Sequence, residues 1–195
     1  AEDDVLSAPG RKTGSWLSGE EGDDSLTGSD RADVLHGGTG DDSLKGGKGD
    51  DRYIFNRGDG HDTITDTGSN VAGMKDGVLR GDRLQFGAGI SLEHLVLERD
   101  GKDLVIHVRD PGQEEQALDK MTDSIRVTGW AASKNRIELL QFTDSRDFVL
   151  SDITHSLLGT EWGGGAANDD HLSGTEQGDW MDGLEGNDHL EGKGG

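Results

Sequence analysis

Residues 19–54 read GEEGDDSLT, GSDRADVLH, GGTGDDSLK and GGKGDDRYI, one nine-residue unit four times over without a gap. Glycine opens each unit (Gly19, Gly28, Gly37, Gly46), aspartate stands sixth (Asp24, Asp33, Asp42, Asp51) and a large apolar residue eighth (Leu26, Leu35, Leu44, Tyr53). Further glycines fall at the second and fourth places, as Gly22, Gly38, Gly40, Gly47 and Gly49. A period held over four copies belongs to a stacked architecture, in which each copy buries its apolar side only against its neighbours. A disordered acidic linker has no cause to keep aspartates and leucines in register.

The unit has a chemistry as well as a period. Glycine admits the tight turns that gather backbone carbonyls, and calcium is a hard cation that takes six to eight oxygen ligands. The last three residues of each unit make a minimal strand with one inward side chain. If each coil holds two units, Asp24 lies over Asp42 and Asp33 over Asp51, each pair clasping an ion between coils. The expected fold is therefore all-β, a parallel β-roll whose nonapeptides bind several Ca²⁺ ions. Without metal the stacked carboxylates repel one another, so metal binding should drive folding.

The pattern continues on both sides. FNRGDGHDTITD (55–66) follows with a stretched spacing; Asp62 then stands above Asp42, with Gly58 and Gly60 in the turn and Asp59 as a further possible donor. Residues 1–18 look like an imperfect first coil: Asp4 and Leu6 keep the repeat's spacing, Ser15 takes an aspartate's place, and Trp16 is expected to cover the open end. Residues 165–195 resume the unit with Asp170, Asp179 and Asp188, the apolar marks Leu172, Met181 and Leu190, and the glycines Gly183 and Gly186. The chain stops within a unit, which reads as a piece of a longer protein with at least two rolls.

These nonapeptides resemble the RTX (repeats-in-toxin) family, the haemolysin-type calcium-binding repeats. The resemblance implies a bacterial protein exported by a type I secretion system, a toxin or an adhesin, that folds on meeting extracellular calcium, at the cell surface or beyond it. The segment after residue 66 resembles the β domain that flanks many such rolls, through Phe86-Gly87-Ala88-Gly89-Ile90, Asp103-Leu104-Val105-Ile106, the Gly129-Trp130 corner and Arg136-Ile137-Glu138-Leu139-Leu140-Gln141-Phe142. The resemblance implies that this block caps the roll. The expected organisation is a first β-roll over 1–66, a capping or inserted β domain over 67–158 and the start of a second β-roll over 159–195.

Charge follows the repeats. Of a formal net charge of −21, residues 19–62 carry 12 acids against 5 bases and residues 159–195 carry 9 against 1. Such a surface repels nucleic acid and anionic membranes, so no nucleic-acid partner is expected. With no cysteine, disulfides, zinc-thiolate sites and thiol catalysis are excluded. The opening AEDDVLSAPG lacks the basic and apolar regions of a secretory signal peptide.

Between the repeats, RLQFG (83–87), LVLER (95–99), DLVIHVR (103–109), DSIRVTGW (123–130), RIELLQF (136–142) and DFVL (147–150) read as strands. Asp100-Gly101 is a hairpin signal; 113–121 is a short helix or a polar loop; 151–159 reads as a capped short helix; 67–81 shows no period.

No motif for catalysis is present, and the seven histidines (His36, His61, His94, His107, His155, His171, His189) have no zinc spacing. A non-catalytic, monomeric module is therefore expected, with calcium and the secretion machinery as partners. Two other readings are a sugar- or peptide-binding module, for which Trp130, Trp162 and Trp180 could stack against a ligand, and the C-terminal part of a secreted enzyme. Asp110-Pro111 matches, in the dipeptide alone, the bond that a self-processing module cuts in some RTX proteins, and reads otherwise as a turn with proline second.

Overall fold

The structure is a computed structural model; it describes residues 2–67, 73–75, 78–113, 116–130, 137–143, 147–150, 171–173 and 189–191. The expected helix at 151–159, and Trp162 and Trp180, lie outside them. Two compact units divide the chain, Ala1–Asp147 and Phe148–Gly195.

The first unit is a parallel β-roll of two sheets. On one face β1 (Val5–Ser7), β3 (Ser25–Thr27), β5 (Ser43–Lys45) and β7 (His61–Ile64) run parallel; on the other β2 (Trp16–Glu21), β4 (Val34–Thr39) and β6 (Arg52–Phe55) do the same. Successive strands alternate between faces, so one coil takes two nonapeptides, and Leu26 pairs with Leu44 while Leu35 pairs with Tyr53. Strand alternation turns one residue of each SLT, VLH or SLK triplet inward. Leu26, Leu35, Leu44 and Tyr53 are accordingly buried, whereas Leu6 and Leu17 of the first coil are only half-buried. Trp16, expected to close that end, takes the outward position beside Leu17 and is 66% exposed.

The sheets do not end with the nonapeptides. β8 (Gly73–Lys75) and β9 (Val78–Arg80) form an antiparallel pair in the stretch expected to be irregular. Beyond them β10 (Arg83–Phe86) pairs in parallel with β6, and β14 (Leu139–Gln141) pairs in parallel with β10. On the opposite face β13 (Asp123–Val127) adds in parallel to β7, then β12 (Asp103–Val108) and β11 (Leu95–Asp100) complete that sheet antiparallel. The strands expected in a separate block after residue 66 thus extend the roll itself, and the compact unit reaches Asp147.

β10 turns two residues inward, Leu84 and Phe86, where a nonapeptide strand such as Ser43–Lys45 turns one. Phe55 meets Phe86 edge-on with centroids 6.4 Å apart, and Phe86 stacks on Phe142 at 5.2 Å. The β11–β12 loop is Gly101-Lys102, one residue later than Asp100-Gly101, with Gly101 at φ 62°. Asp110 to Gln113 is a turn with Pro111 second and Gly112 at φ 74°, the shape of a type II turn. Within 113–121 the described residues hold a single 3₁₀ turn, Leu118–Lys120.

The second unit is described at two strands, β16 (His171–Ser173) and β17 (His189–Glu191). They pair in parallel with Leu172 opposite Leu190, the spacing that joins Leu26 to Leu44 in the first unit. The boundary between the two units falls within β15 (Asp147–Val149).

Candidate metal centre

Each repeat aspartate sits two residues before its inward leucine or tyrosine, at the mouth of a strand, and is buried there. Exposure is 2% at Asp24, 1% at Asp33, 2% at Asp42, 0% at Asp51 and 2% at Asp62. Stacking the coils turns these side chains into two ladders. In the first, the N–H of Asp4 donates to Asp24 Oδ1 at 2.7 Å, that of Asp24 to Asp42 Oδ1 at 2.7 Å, and that of Asp42 to Asp62 Oδ1 at 3.2 Å. In the second, Ser15 N–H donates to Asp33 Oδ1 at 2.6 Å and Asp33 N–H to Asp51 Oδ1 at 2.7 Å. The stacking expected from the sequence, Asp24 on Asp42, Asp33 on Asp51 and Asp62 beyond Asp42, is the stacking observed.

The second ladder runs further than the repeats do. Asp51 N–H donates to Asp82 Oδ1 at 2.7 Å, and Asp82 N–H to Glu138 Oε2 at 2.7 Å. Asp82 is 0% and Glu138 6% exposed. Neither was among the expected site residues. Their signal is an acid two places before an inward leucine, Leu84 and Leu140, as in Asp24-Ser25-Leu26. The first ladder ends differently, since Ile125 stands opposite Asp62 in the parallel pairing.

One oxygen of each carboxylate is thus spent on a backbone N–H. The other is the chemically telling atom. Oδ2 of Asp24, Asp42, Asp51 and Asp82 and Oε1 of Glu138 are sealed from solvent and have no hydrogen-bond partner. Buried carboxylate oxygens are costly to leave unpaired. Asp33 differs, because its Oδ2 accepts from the N–H of Ser29 at 2.6 Å and from the hydroxyl at 2.8 Å.

The unit-opening glycines make the room. A Cβ on Gly37 would lie 2.0 Å from Asp42 Oδ2, one on Gly19 2.0 Å from Asp24 Oδ2 and one on Gly46 2.4 Å from Asp51 Oδ2. Gly28 is closed instead by the Gly46 carbonyl at 2.4 Å. Of the later glycines, Gly22, Gly38, Gly40, Gly47, Gly49 and Gly60 stack tightly on the backbone of the preceding coil; Gly40 at φ 142° would place a Cβ 2.1 Å from the Gly22 carbonyl oxygen. Gly58 does not belong to this cradle. A Cβ there meets nothing within 4 Å, and its N–H donates to Asp123 Oδ2. Asp170, Asp179, Gly183, Gly186 and Asp188 lie outside the described residues.

Electrostatics bear the marks of crowded acids. Burial, followed by neighbouring carboxylates, raises the pKa of Asp42, and lifts Asp51 to about 7, Asp62 to about 8, Asp82 to about 9 and Glu138 to about 7. Asp66 adds to the repulsion on Asp51, Asp82 and Glu138. A divalent cation between the coils relieves both penalties, desolvation and like charge. The donors are carboxylate oxygens beside glycine backbone, with no nitrogen or sulfur, which fits calcium and not a transition metal. Histidines take other work: His36 meets Asp59 at 3.5 Å, His107 bonds Glu98 at 2.8 Å and His94 bonds Ser91. Asp59 Oδ2 also accepts from Asn56 N–H.

A family model described as the RTX calcium-binding nonapeptide repeat matches this chain in four copies, over residues 15–30, 27–64 and 164–195. No curated protein matches it.

Proposed function

The chain carries RTX calcium-binding nonapeptide repeats, and on that premise we propose that it is a non-catalytic structural module which calcium folds. Its parent is a bacterial protein, a toxin or an adhesin, that crosses a type I secretion channel unfolded and becomes compact in extracellular calcium. Asp24, Asp33, Asp42, Asp51 and Asp62 are the carboxylates that hold the ions, with Asp170, Asp179 and Asp188 opening the second roll. The strands over 83–141 serve as its cap by continuing both sheets and sealing their growing ends.

The observation that carries this reading is the row of orphaned, buried second oxygens at Asp24, Asp42 and Asp51. A coil with one inward leucine per nine residues has little apolar surface with which to offset such atoms. Affinity per site is on the order of 10⁻⁴–10⁻³ M, as for extracellular modules. Circular dichroism in chelator and in calcium tests the proposal. A β spectrum that develops steeply with calcium supports it, and identical spectra in both defeat it.

Trp130 offers no sugar-stacking surface, since its ring is 2% exposed. The binding-module reading therefore loses the one candidate aromatic that the described residues place.

A further inference from the structure

Where the fourth nonapeptide meets the added coils, Asp51, Asp66 and Asp82 bring one carboxylate oxygen each within 4.8 Å of one another, and all three are buried. Among the described residues no other group of three or more such side chains converges so closely. Only Asp51 belongs to a nonapeptide; Asp66 and Asp82 lie beyond the segment matched at 27–64. We propose that these three aspartates form a separate site for a hard divalent cation of the calcium kind, which locks the last repeat coil to the strands added after it.

An acidic cluster alone would not establish a site, but this one carries a further observation. Asp51 and Asp82 are both 0% exposed, and each spends Oδ1 on a backbone N–H while Oδ2 has no partner. The unpaired oxygen of Asp51 and the Tyr53 hydroxyl flank the same space beside Gly46, where an added Cβ would lie 2.4 Å from the one and 2.3 Å from the other. That hydroxyl accepts from Gly46 N–H at 2.8 Å and donates to Asp66 Oδ2 at 2.5 Å. Tyr53 is the chain's only tyrosine and stands where the other three units have leucine. Its extra reach draws Asp66 into the carboxylate ladder, and so it is the positioning residue of the site. Hard oxygen donors without nitrogen or sulfur select calcium over transition metals.

The inference rests on the reading that ions lie between coils, and native mass spectrometry of the full chain titrated with calcium separates the two. Asp66→Asn keeps the side chain's shape and should bind one ion fewer than the parent chain, with its calcium-induced β spectrum retained. Asp42→Asn, on the opposite ladder, should lose a different ion, so that the double variant is two short. An unchanged ion count in Asp66→Asn overturns this site while leaving the repeat sites intact; a parent chain that binds no calcium overturns both. Tyr53→Phe guards against a folding defect in Asp66→Asn. Loss of a partner that orients a ligand weakens metal binding by about 10–100-fold, so one ion should need that much more calcium while the others load as before. Equal loading of every ion in Tyr53→Phe counts against the site.

Discussion

The N–H of Asp51 donates to Oδ1 of Asp82 at 2.7 Å across 31 residues of chain, with the same bond length that joins Asp33 to Asp51 across 18. The roll therefore keeps its ladder after its sequence period has gone. What is conserved along the solenoid is the vertical step from coil to coil, and the length of chain spent between steps is free to vary. Loop-closure entropy grows only slowly with loop length, so a coil that detours through a hairpin remains an acceptable rung.

Asp82 is therefore expected to matter as a rung as well as a charge. Asp82→Ala leaves the buried Asp51 N–H without its acceptor, a loss of about 1–3 kcal/mol. Asp82→Asn retains an Oδ1 acceptor and, like the alanine variant, removes the charge and the Oδ2 atom, so the two differ in the bond to Asp51. Urea unfolding in saturating calcium should rank the alanine variant well below the asparagine variant. Equal midpoints would mean that the bond to Asp51 contributes nothing.

Much of this was legible beforehand, and the limits have physical causes. The nonapeptides declare themselves because glycine, aspartate and leucine each have one role at one place, and Leu26 over Leu44 follows by counting. Asp82 and Glu138 were hidden by the 31- and 56-residue gaps that follow Asp51 and Asp82 in the ladder. Yet Asp51-Arg52-Tyr53-Ile54-Phe55, Asp82-Arg83-Leu84-Gln85-Phe86 and Glu138-Leu139-Leu140-Gln141-Phe142 are one phrase said three times. Its closing phenylalanines are the ones that meet in the core. Asp66 had no such signal, because its place is set by a tyrosine hydroxyl 13 residues away. The β8–β9 pair has its signal in Asp76-Gly77, the same dipeptide that marks the β11–β12 hairpin to within one residue at 100–101. The sequence places Gly58 with the cradle glycines because composition cannot tell a glycine needed for space from one in an open turn.

Gly37 and Gly58 separate those two needs. Gly37→Ala drives a Cβ to 2.0 Å from Asp42 Oδ2, so the carboxylate must leave its place. The calcium midpoint should rise and one ion should be lost. Gly58→Ala meets no atom within 4 Å but stands at φ 84°, a backbone penalty of about 1–2 kcal/mol. Its stability should fall by that amount with the ion count unchanged. Ion counts and thermal unfolding, measured on both variants, check the pair; loss of an ion from Gly58→Ala would contradict the assignment.

Calcium should also set the melting temperature. Each site held at about 100 times its Kd adds about 2.7 kcal/mol, and 1 kcal/mol moves Tm by about 2–4 °C in a chain of this size. One site is then worth about 5–10 °C, and the dependence on the logarithm of calcium concentration should steepen with the number of ions. Calorimetry from micromolar to millimolar calcium reads this directly. A Tm that stays level across the range would remove the ions from the account of stability.

Removing the metal should invert the usual effect of acid. Burial raises Asp51 to about 7, Asp62 to about 8, Asp82 to about 9 and Glu138 to about 7, while an unfolded chain's carboxyls titrate near 3.9–4.3. The groups that push are all acids: Asp66, Glu138 and Asp51 on Asp82, and Asp42, Asp59 and Asp41 on Asp62. Between those limits the folded coil binds more protons than the unfolded chain, so stability falls as pH rises. The contribution is whole below about pH 4 and is lost as the pH passes through the values of about 7 to 9. A calcium-free sample should therefore show more β structure by circular dichroism at pH 5 than at pH 9. Calcium competes with the same protons, so its midpoint should fall as pH rises. General repulsion from a net charge of −21 pushes in the same direction, and Asp82→Asn tells the two apart. Removing one charge of twenty-one barely alters the general repulsion, whereas losing the highest-titrating rung should flatten the slope around pH 9. An unaltered slope in that variant would assign the acid effect to bulk charge, and a calcium-free chain that gains structure from pH 5 to pH 9 would contradict the buried-carboxylate account altogether.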